Sequence, residues 1–293
     1  MEGWILKRSL RPLEMGVLIA ITAYACYAFA AFLVKATQVS FTLVVFARSL
    51  IGLLVFLPIF LKQREQLKTQ RLGFHAIRSV LSLITIYCSI YGIQHLQLGD
   101  AILLEQTAPF FIPCVLFIWE RQKISAANLV AIAIAFMGAG IILKPHLDLW
   151  QISSLASLAA GLLTAVCFVC MQVLVKTETP LSMLFYFLLI STLLSSGPAM
   201  GKWGEIHSLW QGGLLICTGI FFALFQLLLS QALQFTNANV IGAYTYFAAV
   251  FSLLLGLTFL GEAMTLYRLI GCLLIIGAGA FFFYAKKESR YLS

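Results

Sequence analysis

The feature that most constrains this chain is a succession of ten apolar stretches, each about 20 residues long and joined by short connections. A helix needs about 20 mostly apolar residues to cross the hydrocarbon core of a bilayer. The pattern therefore predicts an all-α membrane protein with ten transmembrane helices. The predicted spans are 13–34, 41–61, 72–93, 98–118, 124–143, 153–174, 181–200, 210–234, 239–260 and 265–285.

The composition also indicates a chain that is solvated by lipid. Of the 293 residues, 61% are apolar and 10% are charged, and the mean hydropathy is +0.98, whereas soluble domains carry about 25% charged residues. This excludes a soluble domain, a disordered chain and a disulfide scaffold. The net charge of +8 does not indicate nucleic acid as a partner, because most basic residues lie beside the apolar stretches.

The basic residues also predict the orientation. Cytoplasmic connections of membrane proteins carry an excess of Lys and Arg. With a cytoplasmic N-terminus, thirteen Lys and Arg residues lie on the inner side, and only Lys35, Lys144, Lys202 and Arg268 lie on the outer side. We therefore expect both termini inside (N-in/C-in) in a multi-pass protein of a bacterial-type inner (cytoplasmic) membrane.

The two halves of the chain resemble each other after a shift of 139 to 141 residues. The matching pairs are Cys26 with Cys167, Lys35 with Lys176, Pro58 with Pro198, and Gly138 with Gly277. Each half, 13–143 and 153–285, holds five predicted spans, so the second copy must enter the membrane from the opposite side. Such inverted repeats are characteristic of secondary transporters, whose substrate site lies near the midplane between the repeats.

Several segments resemble the EamA-type transporters of the drug/metabolite transporter superfamily. They are Trp119-Glu120-Arg121 with Leu129 to Gly140, Phe259 to Thr265 with Leu269 to Gly279, Ala232 to Val240, and Thr107-Ala108-Pro109. The first half departs from the pattern at Trp119, where the second half has Gly261. The resemblance implies ten helices in two inverted five-helix repeats, with spans 1, 4, 6 and 9 lining the transport path.

Three ionisable residues, Arg48, Arg78 and Glu105, lie inside predicted spans. Charges within a membrane are costly and therefore indicate functional sites. Arg48 and Glu105 lie at similar depths, roughly 10 Å from the outer surface at 1.5 Å per residue, so we expect them to meet as an ion pair. The pair either joins spans 2 and 4 structurally or recognises substrate, and Glu105 alternatively takes up a proton during transport.

A polar stripe marks one face of span 3. Arg78, Ser82, Thr85 and Ser89 are spaced by four, three and four residues, which places them on one side of a helix. The stripe predicts a water-lined path, the alternative being that Arg78 extends to the inner surface. Gln226 in span 8 begins a second polar edge, which continues at Ser230 and Gln234.

Tyrosines and prolines complete the set of candidate residues. Tyr24, Tyr27 and Tyr244 lie in spans that the resemblance places along the path, although packing with a local hydrogen bond explains them equally well. Pro109 and Pro113 in span 4 allow this helix to bend, which favours a gating role, but prolines are common in membrane helices.

The sequence gives no support for enzyme chemistry, a metal site or a cofactor. Cys167 and Cys170 form a C-x-x-C pair without a second ligand pair, and the histidines have no metal-binding spacing. No nucleophile–base arrangement or phosphate-binding GxxxxGK[ST] loop is present. Ala127, Ala131, Ala135 and Ala139 form a small-residue face in span 5, which packs either within the protein or in a homodimer.

These observations predict a secondary active transporter of small polar or amphipathic metabolites that works by alternating access. Arg48, Arg78 and Glu105 suit a substrate that carries both charges, such as an amino acid or a derivative of one. The resemblance also implies S-adenosylmethionine as an alternative, for a transporter or exchanger. An alternative of another class is a flippase for a lipid-linked intermediate, with a lateral opening and a basic headgroup pocket. The expected partners are a small-molecule substrate and the lipid bilayer.

Overall fold

A computed structural model describes residues 12–121, 129–130, 133–134, 137–138, 141, 152–236, 241–242, 244–267, 269–274 and 276–278. Within these residues the chain is helical and has no strand. The helices whose residues are all described are α1 (Pro12–Thr37), α2 (Phe41–Lys62), α3 (Leu72–His95), α4 (Leu98–Glu105), α5 (Ala108–Glu120), α6 (Ile152–Leu174), α7 (Pro180–Ala199), α8 (Leu209–Phe235) and α9 (Tyr246–Phe259). Short 3-10 helices at Arg64–Leu67 and Trp203–Glu205 lie in the connections after α2 and α7.

Seven helical segments of the described chain are long and apolar enough to cross a membrane, when α4 and α5 count as one segment. The predicted all-helical membrane class is therefore confirmed. Span 5, with its alanine face, lies mostly outside the described residues, as does part of span 10. The count of ten helices and a homodimer through that alanine face remain predictions.

Spans 4 and 9 are interrupted, although the sequence predicts continuous helices. Span 4 divides at Thr107 into α4 and α5, and in span 9 a turn at Thr245 separates the helical residues Ile241, Gly242 and Tyr244 from α9. In both places the threonine hydroxyl donates to the carbonyl three residues earlier, of Leu104 or Gly242, at 2.7 Å. In span 4 the cause includes Pro109, which has no N–H to donate to the carbonyl four residues before it.

The two interruptions lie side by side. A Cβ added at Gly242 would lie 3.4 Å from Cβ of Pro109, and the rings of Phe110 and Tyr246 are 6.2 Å apart. Thr107 and Thr245 also occupy positions near the shift that relates the two halves of the sequence. Irregular backbone is tolerated at membrane depth only where protein or a cavity surrounds it. The interruptions therefore mark the interior of the bundle.

The main helix contacts join the two halves of the chain rather than neighbours within one half. Helix α1 packs along α8, α2 against α7 and α8, α3 against α6, and α4 against α9. The halves therefore interlock, and the interior of the protein is the interface between them. Any site in that interior is built from both halves.

The crossing of α2 and α8 is close because glycines lie at the contact. A Cβ added at Gly219 would lie 2.7 Å from Cβ of Ile51 and 3.2 Å from the carbonyl oxygen of Arg48. At Gly52 an added Cβ would lie 3.1 Å from Cβ of Ala223. Small residues allow helix backbones to approach closely in membranes. This contact fixes the position of Arg48 relative to α8.

We predict that Gly219→Ala lowers the free energy of unfolding by about 1–3 kcal/mol, the usual cost of overpacking, because the new methyl group meets Ile51. Gly213→Ala on the same helix is the matched control, since a Cβ at Gly213 has no atom within 4 Å. Thermal unfolding of the detergent-solubilised protein measures both. A Gly219→Ala protein as stable as the control would contradict the close crossing.

Candidate functional site

An internal cavity of about 70 Å³ lies between the two halves of the chain. The first half contributes all the charged residues and the hydroxyl-bearing stripe of α3, and the second half contributes mainly aromatic and apolar side chains. The lining residues are Tyr24, Tyr27, Arg48, Arg78, Ser82, Thr85, Ile86, Ser89, Glu105, Gln106, Thr164, Cys167, Phe168, Met171, Phe222, Phe225, Gln226 and Leu229. The cavity is therefore asymmetric in charge.

Glu105 is the last residue of α4 and lies at the interruption of span 4. Its Oε2 accepts a hydrogen bond from the Tyr27 hydroxyl at 2.6 Å and another from the Ser89 hydroxyl at 2.7 Å. All three residues are buried. Hydrogen bonds to a charged acceptor are short and strong, so Tyr27 and Ser89 stabilise and orient the carboxylate inside the membrane.

The backbone at this interruption is held by a glycine on α6. A Cβ added at Gly161 would lie 2.9 Å from the carbonyl oxygen of Glu105 and 3.2 Å from that of Leu104. Only a residue without a side chain allows α6 to come so near. The position of the Glu105 carboxylate therefore depends on this helix contact as well as on its hydrogen bonds.

Arg48 is buried on α2, with 4% of its surface exposed. Its guanidinium carbon lies 3.5 Å from the centroid of the Phe222 ring, a cation–π contact that is worth about 2 kcal/mol or more when desolvated. Nε and Nη2 of Arg48 have no hydrogen-bond partner. The charge is thus stabilised through the face of the guanidinium, while donors at its edge stay unused.

The predicted ion pair between Arg48 and Glu105 is wrong. Both residues line the cavity, but the ion pairs of the described residues lie elsewhere. Equal depth on two helices does not make two side chains face each other. Glu105 turns to donors on α1 and α3, and Arg48 turns to Phe222 on α8.

Arg78 does not extend to the inner surface. It is 1% exposed, and its Nη1 and Nη2 donate to the carbonyl oxygen of Met183 and to Oε1 of Gln226, each at 3.1 Å. Ser82, Thr85 and Ser89 are buried on the same face of α3 and line the cavity with it. The stripe therefore faces the interior, as its helical spacing predicts.

Of the other residues predicted to line or gate the path, some line the cavity and some do not. Tyr24, Tyr27 and Gln226 line the cavity. Tyr244 is not among the described lining residues; it directly precedes the turn at Thr245, and the centroids of its ring and the stacked Phe247 ring are 6.2 Å apart. Pro109 and Pro113 lie in α5, at its start and in its interior. Both follow the interruption at Thr107 and do not line the cavity.

The candidates predicted from the sequence did not include the aromatic side chains of α8 that line the cavity, or the Cys167 thiol. Phe222 and Phe225 precede Gln226 by four and one residues and Leu229 follows it by three, which is the spacing of one helix face. The polar Gln226 was the available signal for that face. Cys167 accepts a hydrogen bond from the Ser82 hydroxyl at 3.4 Å.

The cavity combines two guanidinium groups, one carboxylate, hydroxyls and aromatic rings, and its charged side chains are buried. Such a set recognises a polar molecule with charged groups, where electrostatic interactions are strong. Sites for small molecules usually have volumes of about 300–1,000 Å³, so the helices must separate before a metabolite fits. Among the described residues no group of three or more His, Cys, Asp or Glu is placed to hold a metal ion.

Comparison with known proteins decides the family. The model of the EamA-like transporter family matches residues 14–144 and, a second time, residues 151–284. The chain belongs to the EamA-like transporter family. Its double match agrees with the internal similarity of the sequence and covers nearly the whole chain.

Relatives of this EamA-like chain are transporters with different named substrates. A riboflavin transporter of Vibrio cholerae is 27% identical over 95% of this chain and 96% of its own length. The pseudopaline exporter of Pseudomonas aeruginosa is 26% identical over 91% and 95%. An S-adenosylmethionine uptake transporter of Rickettsia bellii is 25% identical over 84% of each.

A solved crystal structure has the same fold. It superposes with a TM-score of 0.69 over 95% of this EamA-like chain and 98% of its own, at 18% sequence identity. At this identity the likeness concerns the fold alone.

We predict that Tyr27→Phe destabilises the protein by about 1.5–3 kcal/mol, because a buried carboxylate loses a hydrogen bond. Tyr24→Phe is the matched control on the same helix: the Tyr24 hydroxyl is buried without a partner, so its removal changes stability little. Thermal unfolding in detergent measures both variants. Equal destabilisation of the two would contradict the role of Tyr27 in holding Glu105.

Proposed function

We propose that this protein is a secondary active transporter that carries a small polar or amphipathic metabolite, an amino acid or a derivative of one, by alternating access. The observation that carries the proposal is the buried cavity between the two halves, which contains Arg48, Arg78 and Glu105. Buried charges of both signs are costly in a membrane, and a substrate with an ammonium and a carboxylate group complements them.

The family and its relatives support transport of small metabolites across a membrane. That the protein is a multi-pass membrane protein of a transporter family rests on the family match and on the seven apolar helical segments. We further propose two inverted five-helix repeats at 13–143 and 153–285, both termini in the cytoplasm, and a place in the inner membrane. The named relatives also point away from enzyme activity.

S-adenosylmethionine is the second candidate substrate, for uptake or exchange. The Rickettsia bellii relative is named for it. The molecule carries both charges and an aromatic base, and the cavity offers Tyr24, Phe168 and Phe225 beside its charged groups. Aromatic stacking on such rings stabilises a flat base.

A flippase for a lipid-linked intermediate has less support. A groove of about 520 Å³ opens near the ends of α1, α2, α7 and α8 that are predicted to face the cytoplasm. Its described lining residues are apolar or uncharged, including Gln63, Gln66, Gln231 and Gln234. A pocket for an anionic headgroup needs basic side chains, and this groove offers none among its described residues.

Contacts between the halves at the predicted outer end support alternating access. Oε1 of Glu262 lies 3.0 Å from Nζ of Lys35 and accepts the backbone N–H of Leu98 at 2.7 Å. Glu205 accepts the backbone N–H of Ser40 at 2.8 Å, and this hydrogen bond lowers the pKa of the Glu205 carboxyl. We propose that the Glu262 contact breaks when the outer side opens.

At the predicted inner end, another carboxylate of the second half holds the first half. Oε1 of Glu178 accepts the Thr69 hydroxyl at 2.7 Å, and Oε2 lies 3.4 Å from Nε2 of the buried His75. Glutamates of the second half thus contact the first half at both ends of the bundle. In alternating access one of these contacts breaks while the other is kept.

We predict saturable uptake or exchange of at least one compound by the purified protein in proteoliposomes. The panel consists of radiolabelled amino acids and S-adenosylmethionine, and liposomes without protein are the control. The cavity charges give the physical reason, since they match zwitterionic compounds. If no member of the panel is taken up or exchanged, the metabolite-transporter proposal fails.

We predict opposite effects of Glu262→Gln and Glu178→Gln on access to the cavity. Labelling of the buried Cys167 by a membrane-impermeant thiol reagent reports this access. Glu262→Gln increases labelling from the outside, and Glu178→Gln increases it from the cytoplasmic side, because each loses a contact that closes its own end. The background replaces the other cysteines by serine: Cys26, Cys88, Cys114, Cys170, Cys217 and Cys272.

The matched control for each glutamate variant is labelling of the same protein from the opposite side. Right-side-out and inside-out vesicles provide the two sides. If both variants increase labelling from one side, or neither increases it, the two glutamates do not close opposite ends.

A further inference from the structure

Arg48 has hydrogen-bonding capacity that the protein itself does not use. Its side chain is 96% buried, lines the cavity, and leaves Nε and Nη2 without a partner. A guanidinium is charged at every relevant pH, and leaving its buried donors unsatisfied costs free energy. A ligand group that accepts hydrogen bonds from these unused donors therefore gains more free energy of binding than it would from a hydrogen bond in water.

The two unused nitrogens lie on one edge of the guanidinium. In an arginine side chain the N–H bonds of Nε and Nη2 are nearly parallel and match the two oxygens of a carboxylate in a bidentate contact. The face of the group is already occupied, because Phe222 lies 3.5 Å from the guanidinium carbon. The ring fixes the plane of the fork and leaves this edge available.

The other charged groups of the cavity are held by hydrogen bonds within the protein, although Nε of Arg78 also has no partner. Two N–H groups of Arg78 bind Met183 and Gln226. Oε2 of Glu105 accepts hydrogen bonds from two hydroxyls. Arg48 thus differs from Arg78, whose guanidinium is held by the second half of the protein.

We propose that the Nε–Nη2 edge of Arg48 is a carboxylate-binding subsite, with Phe222 as its rigid support. The assignment rests on the proposed transport function and specifies its substrate: a carboxylate is required, and Arg48 rather than Arg78 binds it. A phosphate group also matches a guanidinium edge, but Glu105 in the same cavity repels its second negative charge. A singly charged, planar carboxylate fits one unpaired guanidinium edge.

The test measures ligand-dependent thermal stabilisation of the full-length protein in detergent at constant ionic strength. The probes are benzoate, benzamide and phenyl phosphate, which share the ring and differ in the polar group. Benzoate is expected to raise the melting temperature saturably, and benzamide and phenyl phosphate are not. In Arg48→Gln the apparent affinity for benzoate falls at least about tenfold, because a bidentate charged contact is lost.

Two further variants complete the test: one keeps the positive charge but changes the shape of the group, and the other is a control. Arg48→Lys retains the charge without the two-pronged edge, so it also binds benzoate at least about tenfold more weakly. Lys68→Gln is the matched control, since Lys68 is an exposed cation that does not line the cavity, and it binds benzoate like the wild type. If the melting temperature of unliganded Arg48→Gln matches that of Lys68→Gln, the variant is folded and its benzoate affinity tests the subsite. If the two melting temperatures differ, the benzoate affinity of Arg48→Lys tests the subsite instead.

The outcomes separate this inference from the proposed function. Absence of benzoate stabilisation, an equal effect of benzamide or phenyl phosphate, or unchanged affinity in both Arg48 variants overturns the carboxylate subsite. Benzoate binding through Arg48 without transport of any compound in proteoliposomes leaves the subsite standing and overturns the transport proposal. Transport that does not distinguish an amino acid from its amide overturns the subsite alone.

Discussion

The structure depends on how three charged side chains are accommodated inside a lipid-embedded bundle. A charge without partners is costly there, and each of the three has a different solution. Glu105 accepts two hydroxyl hydrogen bonds, Arg78 donates to a carbonyl and an amide of the second half, and Arg48 lies on the ring of Phe222. Both arginines therefore require the second half of the chain, so the interlocked halves and the charged cavity form together.

This arrangement links the fold to a transport mechanism. The cavity is small in this conformation and lies beside the paired interruptions at Thr107 and Thr245, so a substrate enters only when the halves separate at one end. Carboxylates close the ends, Glu262 on the predicted outer side and Glu178 on the inner side. The family relatives carry different named substrates, which is the expected outcome when a shared bundle presents a variable set of side chains to one cavity.

Much of this was predictable from the sequence because membrane helices have simple rules. Apolar length predicts the spans, and the spacing of Arg78, Ser82 and Thr85 places them on the interior face of α3. The sequence does not predict which way a side chain turns around its helix axis, so the expected Arg48–Glu105 pair was wrong. Periodicity also does not reveal the turn at Thr245 in span 9, and a place for Tyr244 along the path stays a prediction.

The most direct test of the central claim, that the buried charges of the cavity serve transport, compares transport with stability in Glu105→Gln. Glu65→Gln is the control, because Glu65 is an exposed carboxylate in the connection after α2. We expect that initial uptake in proteoliposomes falls at least about tenfold in Glu105→Gln, while its melting temperature stays close to that of the control. Transport by Glu105→Gln at the wild-type rate at every pH tested would show that Glu105 is structural and would contradict the account.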